Sequence, residues 1–86
     1  MMPKVYVAEK VYEAVAEVVD EVLEEAGRSL RLKGNYRSSH EAIAVIREEY
    51  LELEREVFHG MSRCARAEAI QLASAALILA AWLPAE

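Results

Sequence analysis

Cysteine, glycine and proline are all scarce in this sequence, and each scarcity excludes a class of structure. The chain has one cysteine, Cys64, among its 86 residues, so it cannot form an intrachain disulfide framework. With three glycines and two prolines it has few sites for tight turns, and no long segment alternates apolar and polar residues as a half-buried strand does. We therefore predict an all-α fold and, from the cysteine usage, a reducing cytoplasmic compartment.

Positive charge and long uncharged runs are also in short supply. Ten lysines and arginines face fifteen acidic residues, and the net charge of −5 argues against nucleic acid as a partner. The most hydrophobic stretch, Ala69 to Leu83, has fifteen residues without a formal charge, fewer than the roughly 18 that a membrane span needs. No secretory signal pattern opens the chain. We therefore expect no membrane partner and interpret this stretch as a core helix.

Helical periodicity runs through almost the whole chain. Apolar residues recur at spacings of three and four, with charged residues between them, as in amphipathic helices. The pattern predicts a single domain over residues 1–86, after a short lead-in of about seven residues. The predicted helices cover residues 8–26, 39–58 and 63–83.

Turn and capping residues set the predicted helix boundaries. Gly27 is expected to end the first helix as its C-cap. Ser38 and Glu41 have the spacing of a capping box at the start of the second helix. Gly60 is expected to close the second helix and Ser62 to cap the third. The second and third helices should then form an antiparallel hairpin with a short turn.

The third predicted helix is apolar on nearly every side. An outer helix of a three-helix monomer would expose much of that surface, so this helix should lie centrally. Even two helices from the same chain would leave part of it uncovered. We therefore expect an oligomeric helical bundle, either a homodimer or a homotetramer.

Four oxygen-bearing side chains should converge near the middle of the hairpin. Counted outward from a midpoint between Gly60 and Met61, Glu52 lies level with Glu68 or Ala69. By the same count, Glu49 lies level with Gln71 or Leu72. Glu49 and Glu52 are three residues apart on the second helix and share a face, as do Glu68 and Gln71 on the third. Oxygen ligands in such a group suit a hard divalent cation. The alternative interpretation is structural: Glu68 forms an ion pair with Arg66, Arg63 or a basic residue of another chain, and Gln71 is hydrogen-bonded across an interface.

The same residues resemble a known signature. Glu48-Glu49-x-x-Glu52, followed by Glu68-x-x-Gln71, is similar to the EExxE…ExxD pattern of the all-α nucleoside triphosphate pyrophosphohydrolases of the MazG type. The resemblance covers about half the chain, and Gln71 stands where the family pattern has aspartate. It implies that Glu49, Glu52, Glu68 and Gln71 bind Mg²⁺, with Mn²⁺ as an alternative ion. It also implies Glu48 and Glu52 as catalytic residues that orient a water.

The substrate that the resemblance implies is a nucleoside triphosphate, cleaved to the monophosphate and pyrophosphate. The only basic concentration in the chain, residues 27–37, leads into the start of the second helix, where free N–H groups favour phosphate. Lys33 and Arg37 are our candidates for the phosphate tail, and Tyr36 for stacking on the base. The alternative is a solvated linker with an ordinary loop tyrosine. A second function remains open, a non-catalytic oligomeric assembly or nucleotide-binding module that has lost the chemistry.

Overall fold

The computed structural model describes residues 4–84 as three α-helices, which confirms the all-α prediction. Residues 1–3 and 85–86, the two ends of the predicted domain, lie outside the described residues. The helices are α1, Lys4–Lys33, α2, Ser39–Phe58, and α3, Ser62–Trp82.

The first helix is longer than predicted at both ends. It begins at Lys4 rather than residue 8, and it passes through Gly27 to end at Lys33. Gly34, with a φ of +75°, follows the last helical residue, and its N–H donates to the carbonyl of Leu30 at 3.0 Å. A glycine in the left-handed region is the usual end of a helix, whereas a glycine within a helix costs only about 1 kcal/mol relative to alanine. The prediction that Gly27 ends α1 is therefore wrong.

The second helix has the predicted bounds. Ser38 is its N-cap in extended conformation, and its hydroxyl accepts a 3.1 Å hydrogen bond from the N–H of Glu41. The Glu41 carboxylate returns to the N–H of Arg37 at 3.4 Å, one residue before the position that a full capping box uses. These contacts fix where the basic loop ends and α2 begins.

A three-residue turn reverses the chain between α2 and α3. His59 caps α2, and Gly60 adopts a φ of +72°. Met61, not Ser62, is the N-cap of α3, because the Met61 carbonyl already accepts a 2.8 Å bond from Ala65. The predicted capping role of Ser62 is therefore wrong, since the turn is one residue shorter than that role requires. The resulting hairpin brings α2 against α3.

Helix α3 occupies the centre of the chain. Both α1 and α2 pack on α3, and within residues 4–84 they do not pack on each other. The buried residues are few and mostly small: Ala26, Ala42, Ser74, Ala75 and Ile78. Leu83 ends α3 in extended conformation, as expected for a residue before proline.

One described helix, α3, is long and apolar enough to cross a membrane by length and composition, with a mean hydropathy of 1.4. Core helices of water-soluble proteins meet the same criterion, and both other helices pack on α3.

Candidate metal site

Three carboxylates from two helices meet on the inner side of the α2–α3 hairpin. Glu49 and Glu52 stand one turn apart on α2, and Glu68 comes from α3. One carboxylate oxygen from each lies within 4.8 Å of the other two, and all three residues are half-buried. The structure thus brings together three of the four residues that the sequence proposed as metal ligands. We call these three residues the acidic cluster.

Two oxygens of the acidic cluster lack a hydrogen-bond partner. Glu49 Oε2 and Glu68 Oε2 are inaccessible to solvent, and no donor within the described residues reaches them. An ionised carboxylate in that position loses its hydration without compensation, which costs a few kcal/mol. A bound proton or a cation would compensate both oxygens.

The protonation of the acidic cluster reflects this crowding. Burial raises the pKa of Glu68 to about 7. Glu52 adds to this rise through its hydrogen bond and its negative charge, and Glu49 adds to it less strongly in the same two ways. Burial also raises the pKa of Glu49, with the charge of Glu52 adding to the effect and Lys33 opposing it. Near neutral pH the acidic cluster therefore exchanges a proton readily, and a cation can take the place of that proton.

Glu68 is not neutralised by Arg66, one of the partners that the structural alternative proposed. Arg66 donates to both carboxylate oxygens of Glu21 on α1, at 2.6 and 3.1 Å. This pair holds α1 against the first half of α3, and it lowers the pKa of Glu21. Arg66 is thus paired with Glu21 and does not form the ion pair with Glu68.

The other two residues of the signature lie at the edge of the acidic cluster. Glu48 is exposed on α2 and is not a member of the acidic cluster. Its charge nevertheless helps to raise the pKa of Glu49. Gln71 lies on α3 one turn beyond Glu68, where it lines a cavity together with Glu49. Gln71 therefore shares this cavity with one member of the acidic cluster, Glu49.

The cavity beside Glu49 has a volume of about 130 Å³ and lies where the end of α1 and the loop after it meet α2 and α3. Lys33 and Tyr36, two of the three proposed substrate residues, line it. Its wall includes both charges and neutral hydrogen-bonding groups, among them Ser74 and Asn35. The acidic cluster and the basic end of α1 thus share one concave region, which we call the α1–α2 cavity.

Tyr36 is fixed by a contact that the sequence did not reveal. Its hydroxyl donates a 3.0 Å hydrogen bond to the backbone carbonyl of Ala75 on α3. Burial raises the pKa of the Tyr36 hydroxyl, and the charges of Glu49 and Glu41 add to the effect. The tyrosine therefore ties the loop to α3 as well as facing the α1–α2 cavity.

Arg37 does not line the α1–α2 cavity, although its partner Glu41 does. Its side chain is 91% exposed, and its guanidinium lies 3.7 Å from the Glu41 carboxylate. Lys33 and Tyr36 line the same cavity as Glu49, whereas Arg37 does not. An arginine in this position can reach a ligand only by leaving Glu41.

Sequence reasoning missed Arg28 and Glu25 as cavity residues. Both line the α1–α2 cavity, and Arg28 donates to both oxygens of Glu25 at distances from 2.6 to 3.2 Å. The prediction that α1 ended at Gly27 placed Arg28 in a loop. It therefore missed that Arg28 and Glu25 are three residues apart on one helix and lie on the same face. The basic last turn, with Arg31 and Lys33 before Gly34, was the available signal of the true end.

Comparison of the chain with protein-family models, with curated proteins and with solved structures finds no match.

Proposed function

We propose that the protein is a divalent-metal-dependent hydrolase that converts a nucleoside triphosphate to the monophosphate and pyrophosphate. Glu49, Glu52 and Glu68 hold the cation, with the amide oxygen of Gln71 as a further ligand. The observation that supports the proposal best is the meeting of three carboxylates from two helices, with two oxygens that lack a partner. The similarity to the pyrophosphohydrolase signature supplies the reaction class.

The donor set fits Mg²⁺ or Mn²⁺. Around an octahedral Mg²⁺ at about 2.1 Å, ligand oxygens stand about 3 to 4.2 Å apart. The largest separation allowed within the acidic cluster, 4.8 Å, exceeds this range by little, so rotation about the terminal side-chain torsions is enough to close it. All donors are oxygen, as hard cations prefer. A cation would also remove the repulsion that raises the pKa of Glu68.

The α1–α2 cavity supports a phosphate-bearing substrate beside the cation. Lys33 lines it close enough to Glu49 to oppose the rise in the pKa of that carboxyl, which burial causes, so a cationic side chain already lies next to the acidic cluster. A bound polyphosphate would lie between this ammonium and the metal. Tyr36 presents its ring to the same cavity, in a position to contact a base, and Arg37 would join the phosphate tail after releasing Glu41.

The reaction requires one water and one proton acceptor. Water attacks the α-phosphorus, the new oxygen–phosphorus bond forms, and the bridge between the α- and β-phosphates breaks to release pyrophosphate. Glu52 or Glu48 orients the water and accepts its proton. When bound, Mg²⁺ or Mn²⁺ supplies neutralisation of the charge that develops on the transferred phosphoryl group and on the pyrophosphate.

The decisive experiment measures pyrophosphate release from a panel of ribo- and deoxyribonucleoside triphosphates with Mg²⁺ or Mn²⁺. We expect metal-dependent release in the parent protein and a loss of at least about 100-fold in Glu52→Gln, because one amide replaces both a ligand and a base. Glu54→Gln is the matched control. It makes the same change on the same helix, at a half-buried residue that contacts Tyr50 instead of the acidic cluster.

Two results would contradict the proposal. One is the absence of release with every nucleotide and either metal, from a protein shown to be folded by its helical circular dichroism. The other is equal activity in Glu52→Gln and Glu54→Gln, which would attribute the release to a site other than the acidic cluster.

A second candidate function is a non-catalytic oligomeric helical module. The observation that favours it is Gln71, which leaves the acidic cluster with three carboxylates where the similar signature has a fourth acidic position. In such a module Glu52→Gln should leave the protein assembled and slightly more stable, because it relieves carboxylate repulsion.

A further inference from the structure

A broad apolar surface on the side of α3 away from Gln71 is left uncovered by the part of the chain that the structure describes. Between α1 and α3 runs an open groove of about 570 Å³ whose lining is entirely apolar. Val15, Val19 and Leu23 of α1 form one wall, and Ala73 and Leu77 of α3 form the other. We call this groove, with the α1 residues that line it, the valine face.

The valine face continues across α3 toward α2. Ala69, Ala73, Ala76 and Ala80 follow one another along α3, and all four are exposed. Ala73 borders the groove on the α1 side, while Ala69 borders a second hollow lined by Leu53 and Val57 of α2. All three helices therefore contribute apolar residues to this side of the molecule, although Glu56 and Arg66 also border the second hollow.

The chain has much more surface than a compact monomer of its size. Its accessible surface is 6975 Å², roughly 1,900 Å² more than the about 5,100 Å² typical of a folded 9.6 kDa protein. Its radius of gyration is 14.9 Å, where a compact domain of 86 residues has about 12 Å. A stable dimer needs to bury only about 800 Å² on each partner. The excess is therefore large enough for one complete interface.

The first half of α1 needs such a partner. The helix has 30 residues and is about 45 Å long, whereas α3 has 21 residues and is about 32 Å long. Every described side chain from Glu9 to Glu17 is exposed, although Val11, Ala14 and Val15 border the groove that α1 forms with α3. A helical segment as short as residues 9–17 is marginally stable in water without tertiary contacts. Its apolar stripe, with Val11 and Val15, points to a second surface of the same kind.

We propose that the valine face binds a second copy of this chain, and that the two copies form a two-fold symmetric dimer. The same face meets itself across the axis, so the first half of α1 from one copy covers the α1–α3 groove of the other. No formal charge lines the groove, and the net charge of −5 on each copy lies outside it. The acidic cluster and Gln71 lie on other sides of the hairpin and stay open to ligands. This proposal does not depend on the proposed catalytic function.

Sedimentation velocity of the full chain tests the dimer. We expect a mass twice 9.6 kDa for the parent protein and a concentration-dependent shift to monomer on dilution. Val15→Glu places two buried charges in the interface and should weaken the dimer at least about 100-fold. Leu51→Glu is the matched control. Leu51 is 53% exposed, close to the 55% of Val15, but it lies outside the valine face. We expect Leu51→Glu to remain a dimer.

Hydrogen exchange of the parent protein gives a second measure that needs no variant. Amides of residues 9–17 should be protected in the dimer and should exchange much faster after dilution to monomer, while those of α2 change little. This measurement decides the matter even if Val15→Glu fails to fold.

Three outcomes would overturn the proposal. The first is a parent protein that stays monomeric at high concentration, and binding of that monomer to phosphatidylcholine vesicles would assign the valine face to a lipid surface. The second is an undisturbed dimer in Val15→Glu. The third is equal dissociation in Val15→Glu and Leu51→Glu, which would place the interface elsewhere.

Discussion

Glu52 of α2 and Glu68 of α3 lie in helices that run in opposite directions, and one carboxylate oxygen of each lies within 4.8 Å of the other. The short turn at Gly60 sets this register, because it fixes which residues of the two helices lie level. Two carboxylates this close cannot both be ionised without cost, so one tends to retain a proton until a cation arrives. Most of the testable behaviour of the protein follows from this pair and its neighbours.

The first prediction concerns stability against pH without metal. The pKa of Glu68 rises from 4.5 when unfolded to about 7 when folded, so the folded state binds its proton more tightly. The resulting contribution to stability is present at low pH and is lost as the pH rises from about 4.5 through about 7. Glu68→Gln should remove this dependence and raise the free energy of unfolding by about 1 kcal/mol at about pH 8, since solvent screens part of the repulsion.

Urea unfolding at about pH 5.5 and about pH 8, with chelator present, measures this difference. Glu54→Gln serves as the control and should keep the parent's pH dependence. A parent and a Glu68→Gln variant with parallel stability over this range would show that Glu68 does not titrate there.

The second prediction concerns the cation. Mg²⁺ or Mn²⁺ should stabilise the folded protein by about 2.7 kcal/mol at 100 times its dissociation constant. The effect should be larger at about pH 8 than at about pH 6, because the ion and the proton compete for Glu68. Thermal unfolding with and without the ion measures it, and Glu52→Gln should abolish it. A rise in Tm of equal size in Glu52→Gln would mean that the ion binds elsewhere.

The third prediction concerns Gln71. Gln71→Asp restores a charged ligand and should tighten Mg²⁺ binding about 10-fold, measured by calorimetry, if this position contacts the ion. Gln71→Asn has the shape of aspartate without its charge and should bind no more tightly than the parent. Equal affinity in all three proteins would exclude position 71 from the ligand set.

The fourth prediction separates the two roles of Tyr36. Tyr36→Phe removes the hydrogen bond to Ala75 and should lower the free energy of unfolding by about 1 kcal/mol while keeping KM, because the ring remains. Tyr36→Leu removes the ring as well and should raise KM if the ring contacts the base. Unfolding and steady-state kinetics on both variants measure these effects. An unchanged KM in Tyr36→Leu would leave Tyr36 with its structural role alone.

Local signals predicted the helices well where capping chemistry was unambiguous. The bounds Ser39–Phe58 follow from a serine N-cap and a terminal glycine, and both act as expected. The end of α1 was misjudged because Gly27 and Gly34 both offer a C-cap, and only packing distinguishes them. Ala26 is buried against α3, and Arg28 pairs with Glu25 across the intervening turn, so the helix continues.

The sequence by itself determined the three-helix composition, the hairpin and the level at which Glu49, Glu52 and Glu68 meet. All three depend on the fixed rise of a helix and on one short turn, which are local properties of the backbone. Only the tertiary structure decided that Lys33 and Tyr36 border Glu49 while Arg37 does not, and that Arg66 pairs with Glu21. Those contacts depend on where α1 crosses α3, and helix packing angles are set by side chains far apart in the chain.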